Sequence, residues 1–457
     1  MNRVLLLNPP AKNNLQRDFL CSSSSKADYY WPPIDLIVLS GLLKEFEVRV
    51  IDAVASKISN RETLSKIKAM NPDSIICLVS SIGFNEEMSF LKNVKDSLQN
   101  SRIILIGDIA FFEKEKVIKN KFVDAILLDF TSHQIIEYLK NPENKKIKDI
   151  CYKLGSAVVF NGVLKSSEFS YGMANLELFN LNSYSIPYSI HKKIAPILFN
   201  YGCPYKCSFC ASGNIGYKIR NLSESKQEIM HLYKKGFKEI FIRDFNFTTN
   251  KAFVMDICTF IIKNNIKISW SCEGRVDNVD RESLQLMKKA GCYLIFFGVE
   301  SGKQERLDSF QKRTSITQIK KVFGLCREIG IKTLASFVLA LPGDTMEDIM
   351  ATINLSKEIE ADYASFNLYV PRYGSDLRKK LEKNSELDLN SRFDSSKEFI
   401  NLTSLSEEEI LNLYRYAIKS FYFRLPYLAK QAISMRTWFQ FKTHLLNGLS
   451  LFKKSLK

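Results

Sequence analysis

APILFNYGCPYKCSFC, residues 195–210, joins a short apolar run to three cysteines, Cys203, Cys207 and Cys210. The apolar run is typical of a buried β-strand, and the cysteines follow it on one predicted loop. Three thiolates on one loop can bind an iron-sulfur cube and leave its fourth iron open to a small molecule. Structural zinc sites use four protein ligands at other spacings, so a zinc loop completed by a distant residue is the weaker alternative.

The chain after the cysteine loop repeats one pattern, in which an apolar strand-like run is followed by a helical stretch. The runs are EIFIRD, KISWSC, YLIFFGV, KTLASFVLAL and YASFNLYV. Such alternation predicts parallel β/α units, and six units predict a partial (β/α)6 barrel of TIM type over residues 195–378. Because the chemistry of such barrels lies at the carboxyl ends of the strands, the cysteines are well placed for a reaction centre.

Residues 1–140 contain an earlier series of strand-like runs, namely RVLLLN, VRVIDA, SIICLV, RIILIG and DAILL. They predict an α/β domain of the doubly wound, Rossmann-like (flavodoxin-like) kind, whose ligands bind beyond the carboxyl ends of the strands. The candidate contacts there are Asn8-Pro9-Pro10, Ser80-Ser81 and Gly107-Asp108.

The two predicted domains are joined by a connector over residues 141–194, and a helical region over residues 379–457 follows the barrel. In the connector, YKLGSAVVFNGVLKS predicts a β-hairpin, with Asn161-Gly162 as its type I′ turn.

Composition narrows the class of protein. The 457 residues are 46% hydrophobic and 25% charged, which is typical of a folded chain of two or three domains. The first apolar run is too short for a signal peptide, so we expect a cytoplasmic protein whose ten cysteines form no disulfide framework. We interpret the cysteines outside the loop as small core residues; they are Cys21, Cys77, Cys151, Cys258, Cys272, Cys292 and Cys326.

The net charge of +16 is concentrated at one end, because nine basic residues and no acidic residue follow Glu409. Aromatic residues accompany them from residue 412 to residue 457. Three interpretations stay open: helices that pack across the barrel, an interfacial helix at the inner face of an anionic membrane, and, ranked last, a nucleic-acid contact.

The CxxxCxFC loop after the first strand of a six-unit barrel resembles the radical S-adenosylmethionine (SAM) superfamily. The resemblance implies a 4Fe-4S cluster on the three cysteines, with Phe209 in the usual aromatic position. SAM would chelate the open iron through its amino and carboxylate groups and be cleaved to a 5′-deoxyadenosyl radical. Three further contacts are implied: Asp244 with the SAM amine, Arg275 with its carboxylate, and Glu300 with its ribose or amine. The structural alternatives are a loop or helix-cap role for Asp244 and an ordinary salt bridge for Arg275.

Residues 1–378 together resemble the cobalamin-binding radical SAM enzymes, many of which are methyltransferases. This resemblance implies cobalamin as a cofactor, methylation of a carbon in a lipid-like or secondary-metabolite substrate, and a one-electron reductant such as flavodoxin or ferredoxin. Three places depart from the family: GDIAFF stands where two glycines and a histidine are common, LLDFTSH stands where GEGE-like residues are common, and Phe245 stands where a second acid is common. His133 is expected only to begin a helix. Alternative functions are a radical SAM cyclase, oxidase or rearrangement enzyme, and a non-catalytic metal clip.

Overall fold

The computed structural model describes residues 2–11, 15–19, 22–25, 29–186, 188–384 and 399–434, together with 443 and 448. The chain divides into two compact units. The N-terminal unit comprises Met1–Ser25, Tyr29–Ser185 and Lys218–Glu224, and the C-terminal unit contains Ile186–Tyr217 and the chain from Ser225 onward.

The N-terminal unit is built from short strands alternating with helices. Its strands are β1 (Arg3–Asn8), β2 (Leu15–Gln16), β3 (Ser23–Ser24), β4 (Glu47–Asp52), β5 (Ser74–Leu78), β6 (Arg102–Ile106), β7 (Ala125–Leu127), β8 (Ile150–Leu154), β9 (Ala157–Phe160) and β10 (Glu168–Phe169). Its helices are α1 (Ile34–Leu42), α2 (Asn60–Met70), α3 (Phe84–Ser97), α4 (Asp108–Phe112), α5 (Lys114–Val117) and α6 (Gln134–Lys140), with 3-10 turns at Leu176–Leu178 and Leu181–Ser183.

Seven of these strands form one sheet in the order β4-β1-β5-β6-β7-β8-β9. The five that were predicted are mutually parallel, whereas β8 and β9 add an antiparallel edge. Every residue of β5 is buried, as expected for a strand covered by helices on both faces. The predicted doubly wound α/β fold is confirmed, and the sheet continues through the predicted connector as far as Phe160.

The hairpin of the connector exists, but the predicted turn was wrong. Leu154 pairs with Ala157, so the two-residue turn is Gly155-Ser156. Gly155 has a φ of +60°, which a tight hairpin turn requires and which glycine adopts without strain. Asn161 lies past the end of β9, where its side-chain amide donates to the carbonyl oxygens of Lys145 (2.8 Å) and Ile147 (2.9 Å).

The strands described in the remaining chain are β11 (Ala195–Ile197), β12 (Asn200–Gly202), β13 (Tyr217–Arg220), β14 (Glu239–Ile242), β15 (Ser269–Gly274), β16 (Cys292–Glu300), β17 (Lys332–Leu339) and β18 (Tyr363–Leu368). Its described helices are α7 (Leu222–Lys234), α8 (Lys251–Lys263), α9 (Arg281–Lys289), α10 (Gln304–Ser309), α11 (Ile316–Ile329), α12 (Met346–Glu358), α13 (Asp376–Lys383), α14 (Glu407–Tyr422) and α15 (Leu425–Ser434). Short 3-10 turns occur at Ser212–Asn214, Phe247–Thr249 and Val276–Asn278.

The six predicted barrel strands lie side by side in chain order, β11-β14-β15-β16-β17-β18, and all neighbouring pairs are parallel. Side-chain caps fix where the intervening helices begin. Asp280, Ser315 and Thr345 each accept the N–H of the residue three positions on, in capping boxes that start α9, α11 and α12.

Six of the seven scattered cysteines are buried in the cores of the two units, as predicted, and Cys21 lies outside the described residues. The C-terminal helix α14 packs on the last barrel strand, where the ring of Phe421 meets that of Phe366 at 6.2 Å. The packing interpretation of the tail is therefore correct for α14, while Trp438, Phe439, Phe441 and Phe452 lie outside the described residues.

Candidate active site

The cysteine loop begins immediately after β12, a short strand that follows the first barrel strand but does not belong to the barrel sheet. Gly202, the residue before Cys203, has a φ of +72°, and a Cβ added there would lie 1.8 Å from the carbonyl oxygen of Gly216. Only glycine fits such a close approach without moving the backbone. The loop then folds back on itself, because the N–H of Cys203 donates to Ser212 O (3.1 Å) and the N–H of Cys210 to Cys207 O (3.0 Å).

The three thiols of this loop influence one another electrostatically. Burial raises the pKa of Cys203 to about 11, and the charges of Cys210 and Cys207 act in the same direction. Within the described residues, no set of three or more His, Cys, Asp or Glu side chains is arranged around a single metal ion. An iron-sulfur cube binds each thiolate through a different iron, so its ligands surround a larger group. Three soft thiol donors on one loop fit such a cube.

Two buried cations flank Cys207. Arg275 places Nη1 3.5 Å from Cys207 Sγ, and the positive charges of Lys312 and Arg275 oppose the burial that raises the pKa of this thiol. Positive charge beside a thiol favours the thiolate, which is the form that binds iron.

Arg275 was predicted to bind the SAM carboxylate, with a salt bridge as the alternative, and the structure shows the salt bridge. Its Nε and Nη2 donate to the two carboxylate oxygens of Asp277, each at 2.9 Å. Nη2 also donates to Lys312 O at 2.6 Å, and the guanidinium lies 3.9 Å from the centre of the Tyr205 ring. Arg275 therefore ties the cysteine loop to the end of β15.

Glu300 ends β16 in a strained conformation. Its φ is +69°, which is unusual for a residue other than glycine, and it follows a bulge in the pairing of β16 with β17. Its Oε1 accepts a 2.7 Å hydrogen bond from Lys312 Nζ, and both side chains are almost fully buried. Strain of this kind is typical of functional sites, where the surrounding structure holds it in place. Sequence reasoning missed Lys312, which lies in a polar stretch without a recognisable motif.

Gly298 makes room for this ion pair. A Cβ at this position would lie 2.3 Å from Glu300 Oε1 and 2.8 Å from Lys312 Nζ. Position 298, the first residue of GVESG, therefore requires glycine, because the two charged side chains occupy the space that a larger side chain would need.

Asp244 is fully buried behind the ends of the first two barrel strands. Its Oδ1 accepts the backbone N–H of Phe199 at 2.7 Å, and burial raises its pKa to about 7. Its Oδ2 has no hydrogen-bond partner among the described residues. The side chain thus joins two strand ends, which is a loop role and not a helix cap.

Phe209 anchors the cysteine loop through apolar packing. Its ring meets that of Phe310 edge-on at 6.3 Å, in a cluster with Leu341 and Tyr369. The adjacent Ser208 donates its N–H to Phe310 O (3.0 Å) and accepts that of Leu377 (2.9 Å). These contacts fix the loop to the start of α13 and the end of α10.

At the carboxyl edge of the N-terminal sheet, the predicted contact residues bond to one another. Ser81 donates from its N–H and Oγ to the two oxygens of Asp108, each at 2.7 Å, and Asn8 donates to Asp52 at 3.0 Å. Ser80 likewise donates to Glu87. His133 precedes α6, as expected, and its Nε2 lies 3.0 Å from Ser170 O.

Arg17 organises this edge, and sequence reasoning missed it. Its Nε donates to Glu87 Oε1 at 2.7 Å, and its Nη1 donates to Asn8 Oδ1 and Pro9 O, each at 2.7 Å. Arg17 and Glu87 are both buried. The polar side chains predicted to contact a ligand at this edge are therefore hydrogen-bonded within the chain, which leaves backbone groups to hold a cofactor such as cobalamin there.

Comparison with known proteins shows which family the barrel resembles. Residues 197–356 match the Radical SAM superfamily. The chain carries a radical SAM domain. This domain contains the cysteine loop, the strand β16 that ends at Glu300, and Asp244, which lies two residues after β14. The predicted assignment to a radical SAM enzyme is confirmed over the metal-clip alternative.

Similarity extends beyond the radical SAM domain. An uncharacterized methyltransferase of Pyrococcus horikoshii is 26% identical over 446 residues, covering 94% of each chain. The anaerobic magnesium-protoporphyrin IX monomethyl ester cyclase of Cereibacter sphaeroides is 24% identical over 87% of this chain and 69% of its own. The fold resembles that of the cobalamin-dependent SAM radical enzyme OxsB, with a TM-score of 0.71 at 15% identity over 99% of this chain and 72% of the other.

Proposed function

We propose that this protein is a cobalamin-dependent radical SAM enzyme that methylates a carbon atom of a small molecule. The observation that carries the proposal is the loop of three cysteines, in which the Cys207 thiol lies beside the buried cations Arg275 and Lys312. Similarity to a methyltransferase over almost the whole chain supports it.

Cys203, Cys207 and Cys210 would hold a 4Fe-4S cluster and leave one iron for SAM. When bound, the cluster supplies the electron that cleaves SAM to methionine and a 5′-deoxyadenosyl radical. Arg275 and Lys312 offset the negative charge of the thiolates, and the packing of Phe209 holds the loop that carries them.

Glu300 is the proposed contact for the SAM ribose or amine. The bulge and positive φ at the end of β16 fix its backbone, and Lys312 orients its carboxylate. Arg275 and Asp244 act here as positioning residues, because their observed partners are Asp277, the Lys312 carbonyl and the Phe199 N–H. Their predicted contacts with the SAM carboxylate and amine, like that of Phe209, stay predictions.

Cobalamin would bind the N-terminal unit and supply the methyl group. The proposed substrate is lipid-like or a secondary metabolite, and the proposed electron donor is a flavodoxin or ferredoxin. The structural likeness to an enzyme with bound cobalamin concerns the fold alone, so the cofactor needs a direct test.

Anaerobic reconstitution tests the radical SAM part. The protein loaded with iron and sulfide should form 5′-deoxyadenosine from SAM in the presence of dithionite. A protein that assembles the cluster yet forms no 5′-deoxyadenosine under these conditions would refute the proposed reaction. Cobalamin is tested separately, by the corrinoid absorbance that remains with the protein after gel filtration.

A second candidate is a radical SAM cyclase, oxidase or rearrangement enzyme that transfers no methyl group. Two observations favour it: the hydrogen-bonded pairs that already engage the polar residues of the N-terminal edge, and the similarity to an anaerobic cyclase. SAM with a deuterated methyl group distinguishes the candidates. Deuterium in the product identifies methyl transfer, and 5′-deoxyadenosine with an unlabelled product identifies the alternative.

A further inference from the structure

The turn between α14 and α15 exposes large apolar side chains. Leu425 is 81% exposed, Leu428 47%, Tyr416 45% and Phe423 40%. On α14, Tyr416 and Lys419 are three positions apart and share one exposed face, and Phe423 caps the end of the helix. We call these four apolar residues, together with Lys419, the α14–α15 corner.

The opposite face of these helices is fixed to the barrel. Tyr422 donates its hydroxyl to Ala364 O at 2.6 Å, and Tyr427 donates to Asp362 O at 3.0 Å. Phe421 is fully buried between them and the last strand. The buried aromatic residues therefore attach both helices to the barrel, and the α14–α15 corner faces away from it.

Basic residues predominate at the α14–α15 corner. Lys419 is exposed on α14, Arg424 lies between the two helices, and no acidic residue follows Glu409 in the sequence. Lys430 of α15 is instead paired with Asp362 at 3.1 Å. Exposed apolar side chains surrounded by lysine and arginine match the interface of an anionic bilayer, where apolar groups enter the acyl boundary and cations meet the headgroups. Among the described helices, none has the length and apolar character that a membrane span requires.

We propose that the α14–α15 corner docks this protein on the surface of an anionic lipid bilayer. Leu425 and Leu428 enter the interface, and Lys419 and Arg424 contact the headgroups. The proposal is independent of the reaction proposed above, because it rests on exposure and charge at a surface outside the cysteine loop.

Cosedimentation of the full chain with vesicles tests the docking. The probes are vesicles of phosphatidylcholine mixed with phosphatidylglycerol, and vesicles of phosphatidylcholine alone. We expect binding to the mixed vesicles, weakening with added salt, and a loss of about tenfold in the partition coefficient for the double variant Leu425→Glu with Leu428→Glu. A second variant, Lys419→Glu, should weaken binding without removing apolar surface.

The matched control is Met346→Glu, because Met346 is also exposed, at 41%, but lies beside Glu347 and Asp348. This variant should bind as the unchanged protein does, and all variants should keep their thermal unfolding midpoint and their SAM cleavage in solution. Equal binding by the double variant, or equal binding to phosphatidylcholine alone, would overturn the proposal. If the corner instead joins two copies of the chain, the double variant would have a lower mass than the unchanged protein in light scattering, and neither would bind vesicles. This result would also overturn the proposal.

Discussion

The carboxyl edges of the two sheets differ in how their polar side chains are bonded and in how strained their backbone is. In the N-terminal unit, Arg17, Glu87 and Ser80 form a closed network in which each charged group meets its partner. At the barrel edge, the three cysteines share one loop and Glu300 has a positive φ. A closed network stabilises a single conformation, whereas backbone strain of this kind is typical of functional sites. The same α/β arrangement therefore gives a rigid edge in one unit and a reactive edge in the other.

The largest effect should come from the reactive edge. Cys207→Ala removes one proposed cluster ligand, so we expect loss of the cluster and a fall in 5′-deoxyadenosine formation on the order of a thousandfold or more. The control is Cys326→Ala, which changes an equally buried cysteine in α11. Iron analysis and SAM cleavage check both variants. If the Cys207 variant kept its full iron and sulfide content, the assigned ligand set would be wrong.

Substitutions at the rigid edge should lower the free energy of unfolding and leave the iron content of the protein unchanged. Glu87→Ala leaves Arg17 buried without its carboxylate partner, which costs about 3–5 kcal/mol of unfolding free energy. Arg17→Met combined with Glu87→Leu removes both charges and should recover most of that loss. Urea unfolding of the two variants measures the difference. A loss below about 1 kcal/mol for Glu87→Ala would contradict the view that this ion pair is a closed structural network.

Sequence reasoning located the strands of both sheets because their apolar runs alternate with helical patterns, and it located the cysteine loop because its ligands are close in sequence. It could not find the Arg17–Glu87 pair, whose members are 70 residues apart and lack a local signature. Lys312 could not be predicted for the same reason, since only the fold brings its side chain to Glu300. The hairpin turn was misplaced because Gly155 and Gly162 both adopt positive φ, and only strand register tells them apart.

Asp108 gives the rigid edge a pH dependence. Burial raises its pKa to about 6, whereas an unfolded aspartate titrates near 3.9. Below about pH 4 both states are protonated. Between about pH 4 and 6 only the unfolded chain loses its proton, so stability falls as the pH rises, by about 3 kcal/mol in total. Asp108→Asn should remove this fall.

Urea unfolding at several pH values checks the prediction for Asp108. The control is Asp280→Asn, because the pKa of Asp280 is lowered to about 2 by Lys251 and its cap contacts. Its contribution is complete above about pH 4 and is lost only as the pH falls toward 2, so the slope between about pH 4 and 6 should not change. An unchanged slope in the Asp108 variant would mean that this carboxyl is already ionised in the folded protein at pH 5.

The smallest effect should come from displacing the Glu300–Lys312 pair at the reactive edge. In Gly298→Ala the new methyl group would lie 2.3 Å from Glu300 Oε1, so the Glu300–Lys312 pair must shift. We expect the KM for SAM to rise about tenfold, equivalent to about 1.4 kcal/mol, with iron content unchanged. Gly324→Ala is the matched control, because a Cβ there meets nothing within 4 Å and the residue lies inside α11. It should leave KM unchanged and stabilise the helix by up to about 1 kcal/mol. An unchanged KM in the Gly298 variant would show that SAM does not depend on the position of Glu300, and would leave the strain at that residue without a role in binding.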